Sequence, residues 1–247
     1  MATEILHRSP LRKRVERGME ALLGYRDPSV VRENLRFLLR LAERFFYLRY
    51  HPKRRRILEE GAELRGEEHL REALKEGRGA ILLSAHLGNF PWALAHLAQR
   101  FPVNVVVRRL KNPFLEKLLQ ESLDMAGIRR IFPEGAAVRV KTALQHGEVV
   151  TYLVDQYLLF LSSRRRSEAL KKAIPLWASS LGTPVVPFFV GEGPKGVVVG
   201  EIRPPLPKVD MDLVREMVTE EIRRRPHLWM WWWRLGKKVE VNYDPIF

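Results

Sequence analysis

A histidine at the end of an apolar run is the first residue of this chain whose setting suits catalysis. His86 follows the strand-like segment AILLSA, residues 80–85, and precedes a tight Gly88-Asn89 turn and a helix predicted from residue 91. A junction of this kind is a common way to present a general base, because the pKa of an ordinary histidine lies near neutrality. His86 is therefore the candidate catalytic residue.

The elements around this histidine predict an α/β fold. Short apolar strands alternate with helices from residue 80 onward, which favours a mostly parallel, mixed sheet covered by helices. The predicted strands are 80–85, 103–108, 148–154, 183–190 and 196–202, and the predicted helices are about 91–101, 113–126, 136–145 and 168–181. The last two strands are expected to form a hairpin, with GEGPKG (191–196) as its turn. Sites in such sheets lie at the carboxyl ends of strands, a position that Asp155 shares with His86.

The N-terminal region reads as an amphipathic helix over residues 27–49, with Asp27 as N-cap and Pro28 in the first turn. Its expected apolar face consists of Val31, Leu35, Leu38, Leu39, Ala42, Phe45 and Phe46. Such a stripe either packs on the core or, beside basic residues such as KRRR (53–56), contacts anionic lipid. The predicted division is an N-terminal segment at 1–60, membrane-facing or packed on the core, and an α/β domain at 61–247.

The charge balance limits the partners. The chain has 43 Lys and Arg against 29 Asp and Glu, a formal net charge of +14, which favours anionic membranes, acidic proteins or nucleic acid. No nucleic-acid recognition motif accompanies the charge, so specific nucleic-acid binding is not expected. The absence of cysteine excludes disulfides and thiolate sites, and the arginine-rich composition suggests a thermophilic source. No secretory signal is visible, and four arginines interrupt residues 30–48, so that helix is expected to lie on a surface and not to cross a membrane.

Several blocks, in order, resemble the late acyltransferases of lipid A biosynthesis, the lauroyl and myristoyl transferases of the lysophospholipid acyltransferase superfamily. These blocks are AELRGEEHLREALKEGRGAILLSAHLGNF (62–90), VVVRRLKNPFLEKLL (105–119), LQHGEVVTYLVDQ (144–156), ASSLGTPVVPFF (178–189) and RRRPHLWMWWWRLGKK (223–238). The resemblance covers about residues 30–240. It implies a glycerolipid acyltransferase-like α/β fold and an enzyme that is peripheral to the cytoplasmic face of the inner membrane.

The resemblance also implies the reaction. A fatty acyl chain would move from acyl carrier protein or acyl-CoA to a hydroxyl of a membrane glycolipid or phospholipid, with His86 as general base and without a metal or other cofactor. By position, Asn89, Arg108, Asp155 and Gln156 are the expected substrate-binding residues. Anionic membrane lipid is the expected surface partner.

One residue departs from the family pattern. The signature is a histidine, four residues, then an acid that holds the imidazole ring, but here the acid position is Pro91. Proline cannot accept a hydrogen bond, although it suits the first turn of a helix. Asp155 is the first candidate to replace the missing acid. Restoring an acid by Pro91→Glu is expected to raise activity unless the site has been rebuilt around another group.

The missing acid leaves open an alternative to the catalytic interpretation. In this alternative, the chain is a catalytically degenerate lipid-binding homologue that keeps the acyl groove. An acid within about 3 Å of one ring nitrogen of His86 would favour the catalytic interpretation.

Overall fold

The computed structural model describes residues 9–50, 61–160 and 164–236. Within them, seven strands form one sheet in the order β1-β7-β6-β2-β5-β3-β4. Their bounds are β1 Ala62–Arg65, β2 Ala80–Ser84, β3 Val103–Val106, β4 Arg129–Ile131, β5 Val149–Leu153, β6 Val185–Glu192 and β7 Val198–Ile202. Neighbours pair in parallel except β6 and β7, which form an antiparallel hairpin. The predicted mostly parallel, mixed sheet is confirmed.

Ten α-helices accompany the sheet in the described part of the chain. They are α1 Pro10–Leu23, α2 Pro28–Tyr50, α3 Glu67–Leu74, α4 Phe90–Leu97, α5 Pro113–Ala126, α6 Ala136–Gln145, α7 Asp155–Leu159, α8 Arg164–Ser180, α9 Met211–Arg224 and α10 Trp232–Leu235. Local chemistry sets several ends. Asn112 caps α5 through its side-chain oxygen, Pro113 occupies the first turn, and Gly127 ends the helix in the left-handed conformation.

The sheet separates two apolar cores. Every residue of β2 is buried, because successive side chains of a central strand face the two helical layers in turn. One core contains Ile81 and Leu83 together with residues of α1, α2, α8, α9 and the tryptophan segment near the C-terminus. The other contains Leu82 with residues of α3 and α4. Both N-terminal helices therefore pack in the same core as the central strand.

The apolar stripe of α2 faces this core. Val31, Leu35 and Leu41 are buried, whereas Ala42 and Phe46 of the expected stripe are exposed. Asn34, a polar residue, occupies the centre of the buried stripe and donates from Nδ2 to the carbonyl oxygens of His227 and Trp229. The basic run at 53–56 lies outside the described residues, so lipid contact through it stays a prediction, as does the domain division at residue 60.

Candidate active site

The strand order brings three of the expected site residues to one edge of the sheet. β2, β5 and β3 are consecutive neighbours and all run parallel. His86 follows β2, Asp155 follows β5 and Arg108 follows β3, so their backbones leave the sheet side by side at its carboxyl edge. A hydrogen bond from the Val154 N–H to the Ser84 carbonyl, 2.8 Å, joins the ends of β2 and β5.

The imidazole of His86 is bonded to a carboxylate. His86 Nδ1 lies 2.8 Å from Asp155 Oδ1. The Asp155 side chain has no exposed surface, while the His86 side chain remains 16% exposed, so one partner is fixed in the interior and the other is accessible. No described residue makes a hydrogen bond to the second ring nitrogen, Nε2, which suits a nitrogen that exchanges a proton with a substrate.

A tryptophan binds the other oxygen of this carboxylate. Trp229 Nε1 donates to Asp155 Oδ2 at 2.8 Å, and both side chains are buried. The residues around Trp229 pair with the histidine loop: the Gly88 N–H donates to the Leu228 carbonyl and the Met230 N–H to the His86 carbonyl. This short antiparallel bridge fixes His86 and the donor to Asp155 in one unit.

The surroundings of Asp155 keep it ionised. Burial by itself would raise the pKa of this carboxyl, but the charge of His86 and the hydrogen bonds from the imidazole, the Trp229 indole and the His86 backbone N–H lower that pKa below its ordinary value. An ionised carboxylate on Nδ1 fixes the ring tautomer with Nε2 outward and stabilises an imidazolium once a proton has been taken. The pair therefore has the arrangement of a general base with its orienting acid.

Aromatic rings flank the imidazole. The Phe90 ring lies 5.0 Å from the His86 ring and the Trp231 ring 5.2 Å from it, both edge to face. Trp229 and Trp232 are fully buried, while Met230, Trp231 and Trp233 are partly exposed, so the aromatic run divides between core and surface.

The comparison with protein families decides the identity. The family model for the bacterial lipid A biosynthesis acyltransferases matches residues 26–238. The chain belongs to this family. The resemblance that the sequence blocks indicate is confirmed, and the chain is an acyltransferase of a family whose members acylate lipid acceptors. A comparison with curated protein sequences found no match. In the described residues, no helix is both long and apolar enough to span a membrane.

Pro91 occupies a structural position in this acyltransferase. α4 begins at Phe90 after Asn89, and Pro91 lies in its first turn, as expected for a residue without an N–H. The Asn89 side chain makes no capping hydrogen bond there, and its Nδ2 is buried without a hydrogen-bond partner among the described residues. A buried amide without a partner is rare in a folded protein, and the substrate-binding role expected for Asn89 stays a prediction.

The other two expected site residues, Gln156 and Arg108, lie close to further polar side chains. Gln156 Oε1 accepts a hydrogen bond of 2.5 Å from Arg234 Nη1. Burial raises the pKa of the Tyr157 hydroxyl, and the positive charge of Arg108 opposes that rise. Gln156 and Arg108 thus contribute to one polar surface beside Asp155.

Sequence reasoning missed Trp229, Arg234 and Tyr157. The contacts from Trp229 to Asp155 and from Arg234 to Gln156 cross 74 and 78 residues of chain, so no local spacing indicates them. The only available signal was the aromatic-basic block at 223–238, which resembles the family but does not single out these two residues.

Trp229→Phe removes the indole donor from Asp155. We expect it to lower the free energy of unfolding at pH 7 by about 1–3 kcal/mol, because a buried carboxylate oxygen loses its partner. Because the pKa of Asp155 is lowered in the folded protein, the ionised carboxylate stabilises the fold at pH values above the ordinary aspartate pKa of about 3.9. This stabilisation is lost as the pH falls through the lowered pKa of Asp155. The deficit of the variant is therefore expected to shrink on acidification, as measured by urea unfolding.

Trp232→Phe is the matched control. Trp232 is equally buried and lies 4.6 Å from Trp229, but its indole donates to the neutral Pro226 carbonyl. Trp232→Phe removes the same side-chain volume but leaves every titrating group with its partners. The loss in free energy of unfolding caused by this variant should therefore not depend on pH. Parallel pH dependences for the two variants would contradict the role of Trp229 in keeping Asp155 ionised.

Proposed function

We propose that this enzyme moves a fatty acyl chain from an acyl thioester, carried by acyl carrier protein or coenzyme A, to a hydroxyl of a membrane glycolipid or phospholipid. His86 is the general base. The observation that supports this most strongly is the 2.8 Å contact between His86 Nδ1 and the buried Asp155, which supplies the acid that Pro91 cannot.

The proposed reaction uses this geometry. His86 Nε2 takes the proton of the acceptor hydroxyl as its oxygen attacks the thioester carbonyl, while Asp155 stabilises the imidazolium. Collapse of the tetrahedral intermediate forms the ester and breaks the carbon–sulfur bond. The thiol leaves with the proton from His86, so the base is regenerated without a cofactor.

An assay with purified protein tests this proposal against the binding-only alternative. Labelled acyl carrier protein or acyl-CoA is supplied as donor, with lipid A precursor or lysophospholipid as acceptor. We expect ester formation that requires His86. Stable lipid binding without turnover for any donor and acceptor would instead support a degenerate, lipid-binding protein.

We further propose that the enzyme is peripheral to the cytoplasmic face of the inner membrane. The support is a surface that we call the β3–α5 surface, formed by Arg109, Leu110, Lys111, Phe114 and Leu115 at the carboxyl edge of the sheet. Its apolar side chains are 41%, 63% and 46% exposed for Leu110, Phe114 and Leu115. Exposed apolar groups among cations suit anionic lipid headgroups, and this edge also carries His86.

The acidic groups near the β3–α5 surface offset its positive charge only weakly. Glu116 accepts hydrogen bonds from Arg130 and from the Leu110 N–H, so its charge is compensated. Glu134 is exposed beyond β4, where Arg139 and Lys141 lie on the following helix. The local balance therefore stays positive, as does the whole chain at +14.

Phe114→Ser combined with Leu115→Ser is expected to weaken binding to vesicles containing phosphatidylglycerol about tenfold or more, because two apolar side chains no longer enter the interface. Co-flotation with vesicles measures this. Leu213→Ser is the control, since Leu213 is 55% exposed but directly follows Asp212, close to Asp210, and should not face anionic lipid. Equal losses for the two variants would count against the β3–α5 surface.

A further inference from the structure

A buried asparagine of α2 is bonded to the tryptophan segment beside the His86–Asp155 pair. Asn34 Nδ2 donates to the Trp229 carbonyl at 2.8 Å and to the His227 carbonyl at 3.0 Å. The Asn34 side chain is fully buried, and its Oδ1 has no hydrogen-bond partner among the described residues. A leucine would pack in this apolar stripe without the unpaired oxygen, so the two bonds to the segment are what the amide contributes.

The indole of Trp229 is held in one orientation by its neighbours. Its ring stacks on the Phe160 ring with 6.2 Å between centroids and meets the Trp232 ring edge to face at 4.6 Å. Because close-packed rings cannot turn freely, the Trp229 Nε1 stays directed at Asp155 Oδ2, 2.8 Å away. The other oxygen of that carboxylate is bonded to His86, so the indole fixes the group that orients the imidazole.

The tryptophan segment also contacts His86 directly. The Met230 N–H donates to the His86 carbonyl at 3.1 Å, and the Trp231 ring lies edge to face with the imidazole. A displacement of the segment would therefore change the backbone bond, the ring contact and the carboxylate of His86 together. The amide of Asn34 bonds this segment to α2.

We infer that Asn34 and Trp229 are positioning residues for acyl transfer, Asn34 by holding the backbone of Trp229 and Trp229 by holding the carboxylate that orients His86. The inference rests on the proposed role of His86 as general base. Both side chains are fully buried, so each acts through the next residue toward the imidazole and not on a substrate. Their effect on the rate follows from the demands of proton transfer, which requires a short and aligned hydrogen bond.

A second buried asparagine provides the matched control. Asn104 Nδ2 donates to the Val149 carbonyl at 3.2 Å and to Glu148 Oε2 at 2.8 Å, and the side chain is almost fully buried. Asn104 lies near the start of β3, at the edge of the sheet opposite to the one that carries His86. Asn104→Leu therefore removes a buried amide that bonds a backbone carbonyl, without reaching the site.

Steady-state kinetics provide the first test. We expect Trp229→Phe to lower kcat about tenfold and Asn34→Leu about three- to tenfold, with KM within about twofold of the wild type, because substrate contacts remain while the base is misaligned. The double variant should lose no more than Trp229→Phe alone, since both changes act on the same contact. The controls Asn104→Leu and Trp232→Phe should leave kcat unchanged within about twofold. Circular dichroism at the assay temperature confirms that each variant is folded.

Nitrogen-15 NMR of the imidazole provides a second test that needs no turnover. The chemical shifts of the two ring nitrogens report which one carries the proton, and the His86 signals are assigned by their loss in His86→Ala. Where the imidazole is neutral, we expect the wild type to hold the proton on Nδ1, beside Asp155. A mixture of both tautomers should appear in Trp229→Phe and in Asn34→Leu, but in neither control. Asn34→Leu leaves the buried aromatic rings intact, so it keeps both tests available should Trp229→Phe not fold.

The two measurements separate this inference from the proposed reaction. An altered tautomer in a protein without detectable acyl transfer would overturn the reaction and leave the positioning of His86 standing. Unchanged tautomers in folded Trp229→Phe and Asn34→Leu would overturn the inference, and so would equal changes in the two controls. Losses of kcat that multiply in the double variant would also overturn it, because Asn34 would then not act through Trp229.

Discussion

His86→Ala is expected to lower the turnover number for acyl transfer by about a thousandfold or more, because the proposed mechanism requires His86 Nε2 to take the proton from the acceptor hydroxyl. Asp155→Asn is expected to cost a comparable amount, by analogy with enzymes in which the residue that orients a histidine base has been disabled. An asparagine amide keeps the size of the side chain but cannot stabilise an imidazolium. Steady-state transfer from a labelled acyl thioester measures both effects.

Two control variants accompany these measurements. His146→Gln changes an exposed histidine that bonds only locally, to the Thr142 carbonyl, and should leave turnover unchanged. Pro91→Glu should bring no gain now that Asp155 occupies Nδ1 of His86. Near-normal turnover in Asp155→Asn, or a large gain in Pro91→Glu, would show that Asp155 does not serve as the orienting acid.

The sequence allowed His86 and Asp155 to be predicted as site residues, because each follows a buried apolar strand. The hydrogen bond between His86 and Asp155 was harder to predict than the two residues themselves. It depends on β2 and β5 being neighbours, and strand order is set by tertiary packing and not by local pattern. Pro91 drew attention to an acid missing from the local motif, whereas the acid that bonds to His86 comes from a strand end 69 residues away.

The two strands that the sequence analysis did not predict are short or polar. β4 has three residues, two of them arginines, and β1 alternates between half-buried and exposed positions at the edge of the sheet. Neither contains the apolar run by which the central strands are recognised. The buried Asn34 likewise contradicts an apolar stripe, and only the carbonyls of the tryptophan segment explain its place in α2.

The N-terminal helix α1 packs against the tryptophan segment near the C-terminus. Gly18 of α1 lies against the Trp232 carbonyl, and Gly236 lies against the Arg14 carbonyl, so backbone meets backbone at both glycines. A Cβ at either position would overlap the opposing carbonyl oxygen. The segment that contacts α1 here also carries Trp229, the donor to Asp155. The N-terminal helix is thereby coupled to the position of the His86–Asp155 pair.

Gly18→Ala is the stability change with the largest expected effect. In an ordinary helix interior this replacement stabilises by about 1 kcal/mol, because glycine has the greater conformational freedom when unfolded. Here the added methyl group meets a backbone oxygen that cannot rotate away, so we expect the free energy of unfolding to fall by about 2 kcal/mol or more. Urea unfolding at neutral pH measures the sign as well as the size.

Arg17→Ala, at the exposed neighbouring position of the same helix, should change that free energy by no more than about 0.5 kcal/mol. Gly24→Ala should cost about 1 kcal/mol for a different reason: its φ of 77° is left-handed, but nothing lies near its Cβ. The contrast separates steric overlap from backbone strain. If Gly18→Ala instead stabilised the protein, the close approach of α1 to α10 would not persist in solution, and α1 could not be what holds the Trp229 segment against Asp155.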